Sequence, residues 1–167
     1  MYKIGDIVIY GAEGLCRIVD ITEKKFGKEV IEYYVLESID SSDSTTYVPM
    51  HNEKSMSKMR HILREDEIVE IIKQFPANDM PWIDNDRERQ KVFRDTLLFG
   101  NSKDIIRLAR TIHLHQKKQE AQGRKLHMAD ERFLKDAERM IFDEIAYVMK
   151  IERDQVLAFI TENMNNS

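Results

Sequence analysis

The chain changes its hydrophobic period once. Through about residue 60, apolar residues alternate with polar ones or form short β-branched runs; beyond about residue 62 they recur every three to four positions. GDIVIY (5–10) is a β-branched run, and YGAEG (10–14) follows it with two glycines that suit a turn. LCRIVDIT (15–22) alternates, with Leu15, Arg17, Val19 and Ile21 on one face and Cys16, Ile18, Asp20 and Thr22 on the other. KKFGK (24–28) predicts a hairpin loop and EVIEYYVLESI (29–39) a long strand. DSSDS (40–44) predicts a polar turn, TTYVPM (45–50) a short strand stopped by Pro49, and MSKMRHI (56–62) a last edge strand. Four or five short strands in so short a stretch imply a small, strongly bent antiparallel sheet or barrel of the SH3 or Tudor type.

In the second half, EDEIVEIIKQF (65–75) opens with acids, which complement the positive end of a helix. It puts Ile68, Ile71, Ile72 and Phe75 on one stripe before Pro76 stops it. ANDMPWIDND (77–86) is a loop. RERQKVFRDTLLF (87–99) predicts a helix with Gly100 as its C-terminal cap. Ser102 is the expected N-cap of KDIIRLARTIHLHQKKQEAQ (103–122), which Gly123 ends. ADERFLKDAERMIFDEIAYVMK (129–150) keeps Phe133, Ala137, Met140, Ile141, Ile145 and Val148 in phase, and RDQVLAFITEN (153–163) is a further helix. The expectation is an α+β chain. A small N-terminal Tudor/SH3-like antiparallel β domain covers 1–61, and a five-helix C-terminal domain covers 62–167.

Composition leaves this picture in place. Hydrophobic residues make up 42% of the 167, enough to build a core. No apolar run approaches the roughly 20 residues of a membrane helix. MYKIGDIVIYG lacks the basic and long apolar regions of a signal peptide. The single cysteine, Cys16, excludes an internal disulfide and a cysteine-built zinc site. A reducing, cytoplasmic location is expected.

Charge changes the picture more. The net charge is -4, yet residues 103–125 hold seven basic and two acidic side chains, a local +5. At 100° per residue, Lys103, Arg107, Arg110, Lys117 and Lys118 share one helix face, and Ile105, Leu108, Ala109 and Ile112 the opposite one. Arg124 and Lys125 carry the charge into the following loop. Such a stripe is either a solvated helix face or a surface for a polyanion. Only Asp104 and Glu120 dilute it, whereas a solvated face usually mixes signs.

Catalytic signatures are missing: there is no nucleophile elbow, no Walker loop, no HExxH and no CxxC. No enzymatic activity, cofactor or small-molecule substrate is expected. His113 and His115 stand two apart on a helix and point about 200° from each other, so they cannot chelate one metal ion together. Trp82 is the only tryptophan, and it lies in a polar stretch, NDMPWIDNDRERQ (78–90). Two readings stand. Trp82 packs into a cleft between helices or covers a domain seam, or it is an exposed wedge of the kind that enters a minor groove with cations beside it.

The order and spacing of GDIVIYGAEGLCRIVDI (5–21), IEYYVLE (31–37) and YVPM (47–50) resemble the N-terminal module of CarD/CdnL-type bacterial transcription regulators. That module also occurs in the transcription-repair coupling translocase, ahead of a large ATPase. The second half resembles CarD instead. It has Pro-Trp in the loop after the first helix, a helix ending at Gly100, a basic helix, and then KLHMADERFLKDAERMI (125–141).

The resemblance covers nearly the full length and implies a mechanism. A Tudor-like domain binds the RNA polymerase β subunit, and a helical domain contacts promoter DNA near the -10 element. A tryptophan at the place of Trp82 wedges into the minor groove at the bubble fork and stabilises the open complex. The DNA-contacting residues expected on this reading are Trp82, Arg87, Arg89, Arg107, Arg110, Lys117, Arg124, Lys125 and Arg132. The protein would be cytoplasmic, associated with the nucleoid through polymerase, with no membrane partner.

Two features depart from the family pattern. The polymerase-contacting arginines of relatives fall on Lys24 and Tyr47; Lys24 keeps the charge without the planar fork, and Tyr47 loses it. Extra residues near IDND (83–86) put two aspartates beside the expected DNA contact. The alternative to this non-enzymatic regulator is a protein-interaction adaptor that touches no DNA, its basic stripe facing an acidic protein surface.

Overall fold

A computed structural model describes residues 1–40, 43–74 and 80–165. Ser41 and Ser42 of the expected polar turn lie outside the described residues, as do Phe75, Pro76 and residues 77–79 at the expected helix stop and the start of the loop. The chain divides into two compact units, Met1–Ile62 and Leu63–Ser167. The first is built on strands and the second on helices, so the fold class is α+β.

Five strands form the first unit: β1 (Ile7–Tyr10), β2 (Gly14–Phe26), β3 (Glu29–Ser38), β4 (Thr45–Pro49) and β5 (Met59–His61). They pair antiparallel in the order β4-β3-β2-β1-β5. The loop expected over 24–28 shrinks to Gly27 and Lys28, because Phe26 already pairs with Glu29. Gly27 has φ 65°, a left-handed conformation that a two-residue hairpin needs at its first position and that glycine adopts without strain. A one-turn helix, α1 (Glu53–Met56), was not expected; Asn52 caps it by accepting the Ser55 N–H at 2.9 Å.

The alternation of 15–22 does not run unbroken. A bulge between Ile18 and Asp20 inserts Val19, so Ile18 pairs with Leu36 and Asp20 with Val35. Cys16 and Ile18 face the core as one set, but after the bulge Ile21, not Asp20 or Thr22, follows on that side, opposite Tyr34. The core is Val8, Cys16, Ile18, Tyr34, Leu36, Val48 and Met59, with Tyr2, Tyr10, Met50 and Met56 packed against it.

The second unit contains α2 (Glu65–Lys73), α3 (Asp86–Phe99), α4 (Ser102–Ala121), α5 (Met128–Met149) and α6 (Val156–Asn165), the last preceded by a 3-10 turn, Arg153–Gln155. One cap differs from expectation. Asn101, not Ser102, caps α4: its side chain accepts the Asp104 N–H at 2.9 Å, and the Asp104 carboxylate accepts the Asn101 N–H at 3.1 Å. Ser102 is buried one residue further in, and its hydroxyl donates to the buried carboxylate of Glu144, which also accepts the Leu63 N–H at 2.9 Å. Gly100 caps α3 as expected, its N–H donating to the Thr96 carbonyl at 2.8 Å, in an extended conformation (φ -72°); a Cβ there would stand 2.5 Å from that oxygen, so the close approach requires glycine. Among the described residues no helix is long and apolar enough to cross a membrane.

Candidate nucleic-acid interface

Trp82 is half-buried, with one face built into the helical unit. Its ring stacks on the imidazole of His115 from α4, with centroids 3.6 Å apart and planes within 3°. The edge of Phe93 from α3 meets it at 5.8 Å, and Phe93 in turn packs edge-on against Phe133 from α5. The Arg89 guanidinium lies 4.8 Å from the indole centroid. Upstream, the Met80 N–H donates to the Thr111 hydroxyl at 2.9 Å, which fastens the chain along α4 before it reaches the tryptophan.

Arg89 does not reach out to a phosphate. It is 2% exposed, and this corrects the expectation for it. Its Nε and Nη2 donate to the two oxygens of Asp130 at 3.0 and 2.9 Å. Nη2 also donates to Asp86 at 2.8 Å, and Nη1 to the carbonyls of Ile83 at 2.9 Å and Asp84 at 3.4 Å. Burial opposes the charge on Arg89, but the hydrogen bonds it donates to Asp130 and Asp86 outweigh it and raise its pKa. The same contact with Arg89 holds the Asp86 carboxyl below its usual range. The IDND stretch is thereby explained in part. Asn85 caps α3 by accepting the Glu88 N–H at 2.9 Å, and Asp86 pairs with Arg89, while Asp84 stays exposed in the cleft beside Trp82.

The remaining basic residues separate into groups. Arg124 and Lys125 are exposed and share with Trp82, His115 and Asp84 a cleft of about 530 Å³. A shallower depression on the other flank, lined by Pro81, Trp82, Leu114 and Lys118, brings in a lysine that the expected set omitted. Arg107, exposed, lies near Met80 further along α4, in line with Thr111, Leu114 and Lys118. Arg110 is half-buried. Lys117 is exposed but two positions, about 200°, from His115, so it projects away from Trp82. Arg132 is exposed and stands at the same angle from Asp130, and Arg87 at the same angle from Arg89, so both leave the cleft. For these three, helix geometry corrects the expectation that they contact DNA together with Trp82.

Lys24 and Tyr47, expected at the polymerase surface, come together on the sheet. The Lys24 ammonium lies 3.9 Å from the Tyr47 ring centroid and 5.9 Å from that of Tyr33, and the two tyrosines meet edge-on at 6.2 Å. Tyr33 and Tyr47 share the face opposite Tyr34 and Val48, the core side of β3 and β4. Tyr47 remains 45% exposed.

Residues 2–60 match the family described as CarD-like/TRCF RID domain. Over 162 residues, the chain is 24% identical to YdeB of Bacillus subtilis (strain 168), provisionally named a transcription factor; the match takes in 95% of this chain and 99% of that protein, and so runs across both units. The N-terminal unit thus carries a CarD-like/TRCF RID domain, and the similarity to YdeB continues through the helical unit.

The reading of the sequence missed several features of this surface, for different reasons. Arg89, Phe93 and Leu97 stand at i, i+4 and i+8, so Arg89 lies on the buried stripe of α3, a signal available in the sequence. Asp130 likewise heads the stripe of Leu134, Ala137 and Ile141. Lys118 stood on the basic stripe, but its place beside Trp82 did not show in the sequence; His115 and Tyr33 carried no such mark, and only the contacts with Trp82 and Lys24 single them out.

Proposed function

We propose that this chain is a non-enzymatic transcription regulator of the CarD/CdnL type that binds RNA polymerase through its β unit and holds promoter DNA open with Trp82. The observation that carries the reading is the setting of Trp82: a half-buried indole supported by His115 and Phe93, with the exposed cations Lys118, Arg124 and Lys125 on its two flanks. A rigid apolar plate between cations suits the minor groove at a bubble fork, where a base pair has lost its stacking neighbour. Each step of unstacking costs about 1.4 kcal/mol. A plate that meets only the opened stack recovers part of that cost and shifts the equilibrium towards the open complex instead of adding equal affinity to both states. No base-edge readout is needed, so promoter choice rests with other components.

On the β unit, Lys24, Tyr33 and Tyr47 are the surface for the polymerase β subunit. An aromatic pair with a cation over it can meet a sheet edge or an acidic and apolar patch without the arginine fork of relatives. Net acidity makes the isolated chain a weak DNA binder, and tethering to polymerase supplies the effective concentration. The test is open-complex lifetime on a purified bacterial promoter system with wild-type protein and Trp82→Ala. Wild type prolongs the lifetime, and the variant does not while still binding polymerase. Equal lifetimes would leave Trp82 as core packing and favour the adaptor role.

A further inference from the structure

Arg89 uses its whole guanidinium fork. The five hydrogen bonds described above occupy it, two ending on Asp130 of α5 and three on the segment 83–86 directly after Trp82. The cation also lies over the indole itself. A buried pair that served only the core would have no need of the loop, since packed apolar side chains fill such a site as well or better. Here more than half of the bonds fix the segment that carries the tryptophan.

We infer that Arg89 is a positioning residue for Trp82. The Asp130–Arg89–Asp86 clamp sets the indole, before DNA arrives, in the pose in which it meets the promoter. The inference rests on the wedge reading above and adds how the wedge is held. Asp130 anchors the guanidinium to α5, and Asp86 with the Ile83 and Asp84 carbonyls ties the loop to it. Met80 on Thr111 ties the other end of the tryptophan segment to α4. The ordering cost of the loop is then met on folding and not at the promoter, which leaves more of the contact energy for the open state.

The experiment measures open-complex lifetime with full-length protein and purified polymerase for wild type, Trp82→Ala, Arg89→Lys and Asp86→Ala, and for each clamp variant combined with Trp82→Ala. Arg89→Lys keeps the charge but loses the fork, and Asp86→Ala removes an exposed partner that the core does not need. Trp82→Ala is expected to shorten the lifetime about tenfold, the equivalent of one unstacked step. Each clamp variant shortens it part of the way, and neither adds anything in the Trp82→Ala background. Acrylamide quenching of the single tryptophan rises in both clamp variants, a change that a remote structural role would not produce.

If Trp82→Ala shortens the lifetime and both clamp variants keep wild-type lifetime and quenching, the clamp is overturned and the wedge stands. The same holds if the clamp variants shorten lifetime equally with and without Trp82. If Trp82→Ala leaves the lifetime unchanged, the wedge falls and the clamp's role with it. Should Arg89→Lys fail to fold, Asp86→Ala decides.

Discussion

Asp130→Ala deletes both carboxylate oxygens on which the buried Arg89 guanidinium rests. The side chains are 1% and 3% exposed, and the two bonds are 2.9 and 3.0 Å long. Asp86 cannot replace the lost partner, because its side chain is 63% exposed and its charge is screened by water. Removing one member of such a pair leaves a desolvated charge uncompensated, at a cost of about 3–5 kcal/mol. That is a large fraction of the ~5–15 kcal/mol by which a domain is stable. With a slope of about 2 kcal/mol per molar urea, the midpoint falls by roughly 2 M. Trp82, the only tryptophan, lies in the helical unit, so its fluorescence follows the unfolding of that unit. Asp130→Leu combined with Arg89→Met removes both charges and is expected to cost less than Asp130→Ala alone. The reasoning is refuted if Asp130→Ala costs under about 1 kcal/mol, or if the double variant costs as much as the two single changes added together.

His115 ordinarily titrates near 6.5; burial holds it lower, with Arg89 and Lys118 adding to that and Asp130 opposing. The stacked imidazole is therefore neutral at pH 7, and the helical unit keeps its full stability above about 6.5, then loses part of it as pH falls through the lower folded value. Quenching of Trp82 by protonated His115 should titrate with a midpoint below 6.5; a midpoint at or above that value contradicts the burial argument. Burial, with a smaller contribution from Glu13, pushes the Cys16 thiol up to about 11. Labelling with a thiol reagent at pH 8 should then be slow in native protein and fast in urea, and equal rates would refute it. Tyr47→Ala should weaken binding to the polymerase β subunit about fivefold or more while leaving Trp82 fluorescence unchanged. Unaltered binding in a direct titration would move the polymerase surface elsewhere on the sheet.

Much of this protein is legible in its order of residues. Alternating and β-branched runs mark the described strands and a period of three to four the five longer helices, because these patterns follow from the local geometry of strand and helix backbones. The lone tryptophan after a proline in a polar loop draws attention to the segment that the site is built on. Local pattern could not show the Val19 bulge, which exchanges the faces of β2 and is settled by pairing with β3. Nor could it tell the solvated cations from the spent one. Arg87, Arg89 and Arg132 look alike in sequence, and the stripe containing Phe93 and Leu97 hints at which is buried, but its partner is 41 residues away. Only the packing of α3 against α5 brings Asp130 to Arg89, and only the fold of the intervening helices stacks His115 on Trp82. Periodicity is a property of each segment and so is written locally. The choice of which charges meet depends on how segments distant in sequence share one interior, where an unpaired charge is too costly to keep.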